Sequence, residues 1–405
     1  MTRKTPPSGI ALAPGTRPLP AFRLVLLDAA AEASPASVRL AVGRVLAMLA
    51  ELPSGHVREL EGQSSEMIEH TATQFAGLEV LLGYGRRAFD TDLHPPGLLE
   101  APRPDYLAYL HLKDPFPALP WSAGVGTNSG ETDFAVQLTA QHPAGVNCAA
   151  VEIWKLIVDE KLPLRVVASF DGFGRPDGRG WLEFHDGVSN LPADQRAEAV
   201  TATGDPPWMA GGTYLAFLRI ELDLAAWRRL DREAQELVVG RDKRSGARIA
   251  EVTRGRDGRP RPVPSASSGS SAQDRLDWID PPQGTDELLE MSHVHRANQN
   301  RSSASAPGGW RMFRQGYDFL ADLGPDGPVL GLNFVSFQRD LSVLQHVLHL
   351  PGWLGDVNFG GPPPDACSAG ESPQFLSLQA GGLYAVPAPA GPFPGADLFS
   401  ECEWT

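Results

Sequence analysis

The sequence predicts an α+β protein built of two ferredoxin-like halves with antiparallel sheets, and three observations carry that prediction. The chain has 405 residues, more than a single hydrophobic core usually organises, so two packed units are expected. Its first 160 residues run strand, helix, strand, strand, helix, which is the order of a ferredoxin-like half. From residue 211 the same rhythm starts again, although the residues themselves do not repeat. The expected division is a flexible proline-rich tail over 1–20, an N-terminal half over 21–205 and a C-terminal half over 206–405.

Each element follows from local pattern. "AFRLVLLDA", from residue 21, is apolar enough for a buried strand, and "SPASVRLAVGRVLAMLAEL" repeats Val38, Leu40, Val45, Leu46 and Leu49 at helical spacing. "GLEVLLGYG" returns as a strand ending in glycines. A proline-rich loop region follows over about 92–121; then "DFAVQLTAQ" alternates as a half-buried strand and "AGVNCAAVEIWKLIVDE" has helical periodicity. The second round begins with "GGTYLAFLRIEL", a strand, and continues into a helical stretch with Asp223 and Asp231 as N-caps and Gly240 or Gly246 as stops. "TRGRDGRPRPVPSASSGSSAQ", residues 253–273, is so rich in Gly, Pro, Ser and Arg that a mobile insertion is expected. "GPVLGLNFVSFQ" is an apolar strand, and "RDLSVLQHVLHL" a helix stopped by Pro351.

Composition narrows the function classes. With 42% hydrophobic and 21% charged residues the chain is a folded globular protein. A formal charge of −14 argues against nucleic acid or an anionic membrane surface as a general partner, since both require a basic face. Cys148, Cys367 and Cys402 are scattered and form no C-x-x-C pair, so neither a disulfide framework nor a zinc motif is expected. With no secretory signal and no apolar run long enough to span a bilayer, a cytoplasmic location is the expectation.

Four stretches hold residues suited to chemistry. In "LEFHDGVSN", Asp186 precedes a glycine, which suits a catalytic carboxylate or an ordinary Asp-Gly turn. In "MSHVHRANQN", His293 and His295 would face the same way on a strand and could share a metal, or could be plain polar residues. "GWRMFRQGYDF" presents Arg311 and Arg314 among aromatic rings, on which arginine also simply stacks. "FVSFQRDL" delivers Arg339 and Asp340 to a helix start, where Asp340 is a natural N-cap; His346 and His349 read as helix-face residues.

Taken in order, "FHDGVSN", "GGTYLAFLRIELDLAAWRRLDREAQELVVGRDKRSGA", "SHVHRANQN", "MFRQGYDF", "GLNFVSFQRDL" and "GGLYAVPAPAGPFPGADLF" resemble the dye-decolorising (DyP-type) haem peroxidases. "GLEVLLGYGRRAFD" and "TDFAVQLTAQHPAGVNCAAVEI" extend the resemblance, which runs from about residue 20 to residue 400. It implies a fold of the dimeric α+β barrel type, with haem b in the C-terminal half and His293 as its iron ligand. It places His295 where relatives commonly carry an arginine near the haem edge, and Asp186 with Gly187 in the family's G-x-x-D-G motif, with Asn190 in the same cofactor-binding segment. Arg314 matches the distal arginine, and Asp340 the acidic partner of the proximal imidazole. The implied reaction reduces hydrogen peroxide through a ferryl intermediate and oxidises dyes, phenolics or similar one-electron donors; a homo-oligomer is compatible with it. Trp181 and Tyr317 are the candidates for carrying oxidising equivalents to the surface.

One departure stands out: the first glycine of the motif is Glu183, which threatens the turn that aims Asp186. A haem-handling protein of weak peroxidase activity is therefore an alternative, and a non-haem metal oxygenase using both His293 and His295 is a third.

Overall fold

A computed structural model of the chain describes residues 10, 18–60, 62, 64–94, 97–104, 107, 119, 121, 131–187, 190–191, 193–265, 286–297, 310–350, 353–354, 359 and 375–399. In the N-terminal half, β1 (Ala21–Ala29), α1 (Pro35–Glu51), α2 (Ser65–Gln74), β2 (Glu79–Gly85), β3 (Phe134–Ala140), α3 (Pro143–Asp159) and β4 (Leu164–Phe173) follow one another, and α4 (Ala193–Val200) leads out. The C-terminal half contains β5 (Thr213–Leu222), α5 (Leu224–Arg228), α6 (Arg232–Val239), β6 (Ile249–Arg254), β7 (Pro260–Pro264), α7 (Glu287–Glu290) and α8 (His293–Ala297). It ends with β8 (Phe313–Gly324), β9 (Gly327–Gln338), α9 (Ser342–Leu348) and β10 (Leu376–Val386).

Eight of these strands close into a barrel in the order β1-β3-β2-β10-β5-β9-β8-β4. Cut at its two seams, it falls into β4-β1-β3-β2 and β10-β5-β9-β8, the same fourth-first-third-second order twice. The seams are short: Tyr384 and Ala385 of β10 pair with Gly85 and Tyr84 of β2, and Phe173 of β4 pairs with Asp318 of β8. Two antiparallel ferredoxin-like sheets thus share one barrel, as the strand order predicted.

Strand alternation explains why so many strands are apolar on both faces. Phe22, Leu24 and Leu26 of β1 point into the barrel, where Leu215, Phe217, Phe313, Tyr317 and Phe337 meet them. Val25 and Leu27 point outward against α1 and α3, in a core with Val38, Val42, Val45, Ala149 and Ile153. The second outer core packs Ala216, Leu218 and Ile220 of β5 against Leu344 and Leu348 of α9. Ser34 caps α1 by accepting from the Ser37 N–H at 3.2 Å, with Pro35 in the first turn.

Some expectations change. The helical stretch after β5 is two helices, each started by its predicted cap: Asp223 accepts from the Ala226 N–H at 2.7 Å and Asp231 from the Ala234 N–H at 2.9 Å. Of the stretch 253–273, expected to be a mobile insertion, the first part is a hairpin in which β6 and β7 pair antiparallel, because Asp257 and Gly258 supply a turn; 266–273 lie outside the described residues. Most of the tail also lies outside them, but Ile10 is buried in the barrel core, so the tail is anchored at that residue.

Candidate functional site

The site is assembled by the C-terminal half. Helix α6 ends at Gly240, whose φ of 85° lets its N–H turn back to the Glu236 carbonyl at 2.7 Å. A Cβ here would stand 2.7 Å from Ser292 Oγ and 3.4 Å from Val294 Cβ, so the glycine also lets α8 pack closely. That packing sets His293. Its Nδ1 lies 2.9 Å from the Phe359 carbonyl and 3.1 Å from Trp353 Nε1, and its ring stacks on Phe359 at 4.3 Å between centroids. The two contacts require opposite protonation of one nitrogen. The shorter one needs Nδ1–H and leaves the Nε2 lone pair available.

Burial lowers the pKa of His293 to about 4, the Phe359 carbonyl opposes this, and the charges of Arg314 and Arg241 push it further down. A neutral imidazole with a free lone pair is what metal ligation requires. His295 does not share the site. The segment is helical and not a strand, so two residues apart means roughly 200° around the axis. Burial lowers its pKa, with Glu290, Arg296 and Arg248 as its charged neighbours. No cluster of three or more His, Cys, Asp or Glu able to hold a metal occurs among the described residues. The two-histidine metal centre therefore has no geometric support.

Asp186 sits on the turn leading to Asn190. Glu183 holds φ at 65°, the left-handed conformation that the motif's glycine would adopt without strain. Arg179 holds its carbonyl at 2.6 Å, and Arg175 pairs with its carboxylate at 3.2 Å. The turn therefore keeps its shape at a cost of about 1–2 kcal/mol in backbone strain. Gly187 follows with φ 70°. Asn190 fastens the turn to β8 like a strand residue: its Nδ2 donates to the Arg314 carbonyl at 2.6 Å, and the Arg314 N–H donates to its Oδ1 at 3.0 Å. Asp186 Oδ2 lies over Gly316, 2.7 Å from where a Cβ would be. Asp186, Gly187, Asn190 and Arg314 are thus brought together, and Arg314 lies within electrostatic reach of His293.

Asp340 does not join them. It is exposed, and its Oδ1 accepts from the Ser342 N–H at 2.7 Å; Leu341, not Asp340, is the N-cap of α9, and the group bonded to the imidazole Nδ1 is the Phe359 carbonyl. Tyr317 faces the barrel interior, opposite to Arg314, and is 1% exposed, so it is no surface carrier. Trp181 is partly exposed, donates to the Phe319 carbonyl at 3.0 Å and meets Phe173 edge-on. Sequence reasoning missed Arg241, Asp318, Trp353 and Phe359. Only Asp318 left a signal, since Arg314, Gly316 and Asp318 share one face of a strand by alternation.

Comparison with known proteins places this geometry. Residues 177–389, just over half of the chain, match the family described as Dyp-type peroxidase, C-terminal. A dye-decolorizing peroxidase of Thermobifida fusca is 28% identical over 94% of this chain and 82% of its own length. A deferrochelatase of Escherichia coli K12 is 25% identical, over 45% of this chain and 36% of its own. Among solved structures, DtpA from Streptomyces lividans superposes with a TM-score of 0.68 at 23% identity, covering 97% of this chain and 95% of that one. A DyP-type peroxidase from Cellulomonas bogoriensis gives 0.65 at 21% identity, covering 95% of each. These likenesses establish the fold.

Proposed function

Because the chain belongs to the DyP-type peroxidase family, whose members are haem-dependent enzymes that reduce peroxide with electrons from a donor, we propose that it binds haem b through His293 and places Asp186 and Arg314 on the peroxide side. The observation that carries this reading is the neutral, partly buried His293, its Nδ1 engaged by a carbonyl and its Nε2 lone pair available. The residues present fit the cofactor: an imidazole ligand, flat aromatic rings beside it, and the Arg241 charge, which suits a propionate carboxylate of haem b. Gly187 and Asn190 shape the wall that carries Asp186.

When bound, haem supplies the iron at which peroxide is reduced to water and at which two one-electron donors are then oxidised. The protein's own work is proton handling and charge stabilisation. The Asp186 carboxylate takes the proton from the peroxide oxygen that stays and delivers it to the oxygen that leaves, a role worth about 10²- to 10⁴-fold. The permanently charged Arg314 stabilises the negative charge growing on the departing oxygen; loss of one such preorganised donor costs about 10²- to 10³-fold. The Phe359 carbonyl keeps the proton on Nδ1 and thereby the ring orientation.

Dyes and phenolics are the donors we propose, reached through Trp181, which lies close to the Asp186 turn and is partly exposed. We place the enzyme in the cytoplasm on its scattered cysteines, of which Cys148 is free. The haem-handling alternative rested on a disturbed Asp186 turn, and Glu183 preserves that turn. The test is stopped-flow reaction of the haem-loaded protein with peroxide. Arg314→Leu and Asp186→Asn are expected to retain haem and react at least about 10²-fold more slowly; wild-type rates in both would refute the assignment.

A further inference from the structure

Asp318 is buried beside the proposed peroxide side, and the mechanism above leaves it unused. Alternation along β8 puts it on the face that carries Arg314 and Gly316, with Asp186 Oδ2 lying over that glycine. The seam pairing Phe173 with Asp318 fixes its backbone, and the Trp181 backbone N–H donates to its carboxyl. The chain at Gly180 passes close by, since a Cβ there would lie 3.7 Å from Asp318 Oδ1. The charged groups facing it are Asp186, Glu183 and Arg175 from the preceding turn. Among the described residues, no lysine or arginine forms an ion pair with it.

We propose that Asp318 is a positioning residue for Asp186: it holds a proton beside that carboxylate, so that no second negative charge faces the place where bound peroxide reacts. Two carboxylates in one site do not both ionise readily, and the buried member keeps the proton because desolvation penalises its charge more. Burial, then the neighbouring Asp186, raise the pKa of Asp318 to about 7, against the pull of Arg175. Above that pH the site carries a second negative charge beside the oxygen that must leave, which opposes charge growing there. The rate of reaction with peroxide therefore falls as pH rises through about 7.

The inference rests on the reading of Asp186 given above, and its test separates the two. Infrared difference spectra of the haem-loaded, full-length protein between pH 6 and pH 8 are expected to show loss of a protonated-carboxyl band. That band is absent in Asp318→Asn, and its midpoint falls in Asp186→Asn because a neighbouring charge is gone. Stopped-flow with peroxide is expected to lose its fall through neutral pH in Asp318→Asn. No band assignable to Asp318, a midpoint indifferent to Asp186, or an unchanged pH profile would overturn the proposal. The infrared arm reads a proton and not turnover, so undiminished peroxide reactivity in Asp186→Asn would instead refute the role of Asp186 on which the proposal depends.

Discussion

Two buried aspartates, one in each half, differ in the company they keep. Asp133, 0% exposed just before β3, is fully engaged: Oδ2 accepts from the Ala29 N–H at 2.9 Å, Oδ1 lies 3.0 Å from His94 Nε2, and its own N–H donates to Asp28 Oδ1 at 3.1 Å. Asp28 is in turn paired with Arg165 at 2.8 Å. Asp318, 6% exposed, accepts one backbone N–H and has two other carboxylates among its charged neighbours. The strand order is the same in both halves, but the cover is not. Helices α1 and α3, 17 residues each, seal the N-terminal sheet, whereas α5 to α9 are helices of four to eight residues. A buried carboxyl with a full set of partners fastens a loop; one left among like charges holds a proton.

The comparison can be broken most forcefully at Asp133. Asp133→Ala strands the Ala29 N–H and His94, and is expected to destabilise the fold by about 3–5 kcal/mol, read by urea denaturation, with the pH profile of the peroxide reaction unchanged. At Asp318 the sign is opposite. Its pKa is raised on folding, from about 3.9 in an unfolded chain to about 7, so the folded state holds the extra proton. Its stability cost is absent below about pH 4, grows as pH rises, and is complete above about pH 7, reaching on the order of 4 kcal/mol. Asp318→Asn should therefore be more stable than wild type at pH 8 and similar to it at pH 4, as urea denaturation at both values would show. An equal gap at both pH values would show that folding does not raise the pKa of Asp318.

The smallest effect is expected at Glu183. Glu183→Gly relieves left-handed strain of about 1–2 kcal/mol and loses an exposed ion pair with Arg175 worth about 0–1 kcal/mol. Thermal unfolding should find it more stable than wild type by at most about 2 kcal/mol. A loss of several kcal/mol would mean that the Arg175 contact, and not backbone geometry, organises the turn.

Much of this fold was legible because its strands announce themselves. β1, β2, β3, β5 and β9 carry apolar runs or clean alternation, and Asp223 and Asp231 marked helix starts that the structure keeps. β4 and β10 were not anticipated. β4 is only partly buried along most of its length, so its pattern is diluted by Arg165, Ser169 and Asp171, and two glycines interrupt β10. Within the site, Asp186, Asn190 and Arg314 were named from sequence and lie together. Asp340 was misplaced because an aspartate just before a helix is served by a local backbone N–H, here that of Ser342, as well as it would be by a histidine. The carbonyl of Phe359 was invisible, since any residue type carries one, 66 positions from His293. The paired histidines misled because a two-residue spacing converges on a strand and diverges on a helix.

The account therefore turns on His293, and its most direct test is the absorbance of protein reconstituted with haem. Wild type and His295→Ala are expected to show a Soret band at full haem stoichiometry, and His293→Ala to lose it. A Soret band of normal intensity and position in His293→Ala would contradict the assignment of iron to this histidine.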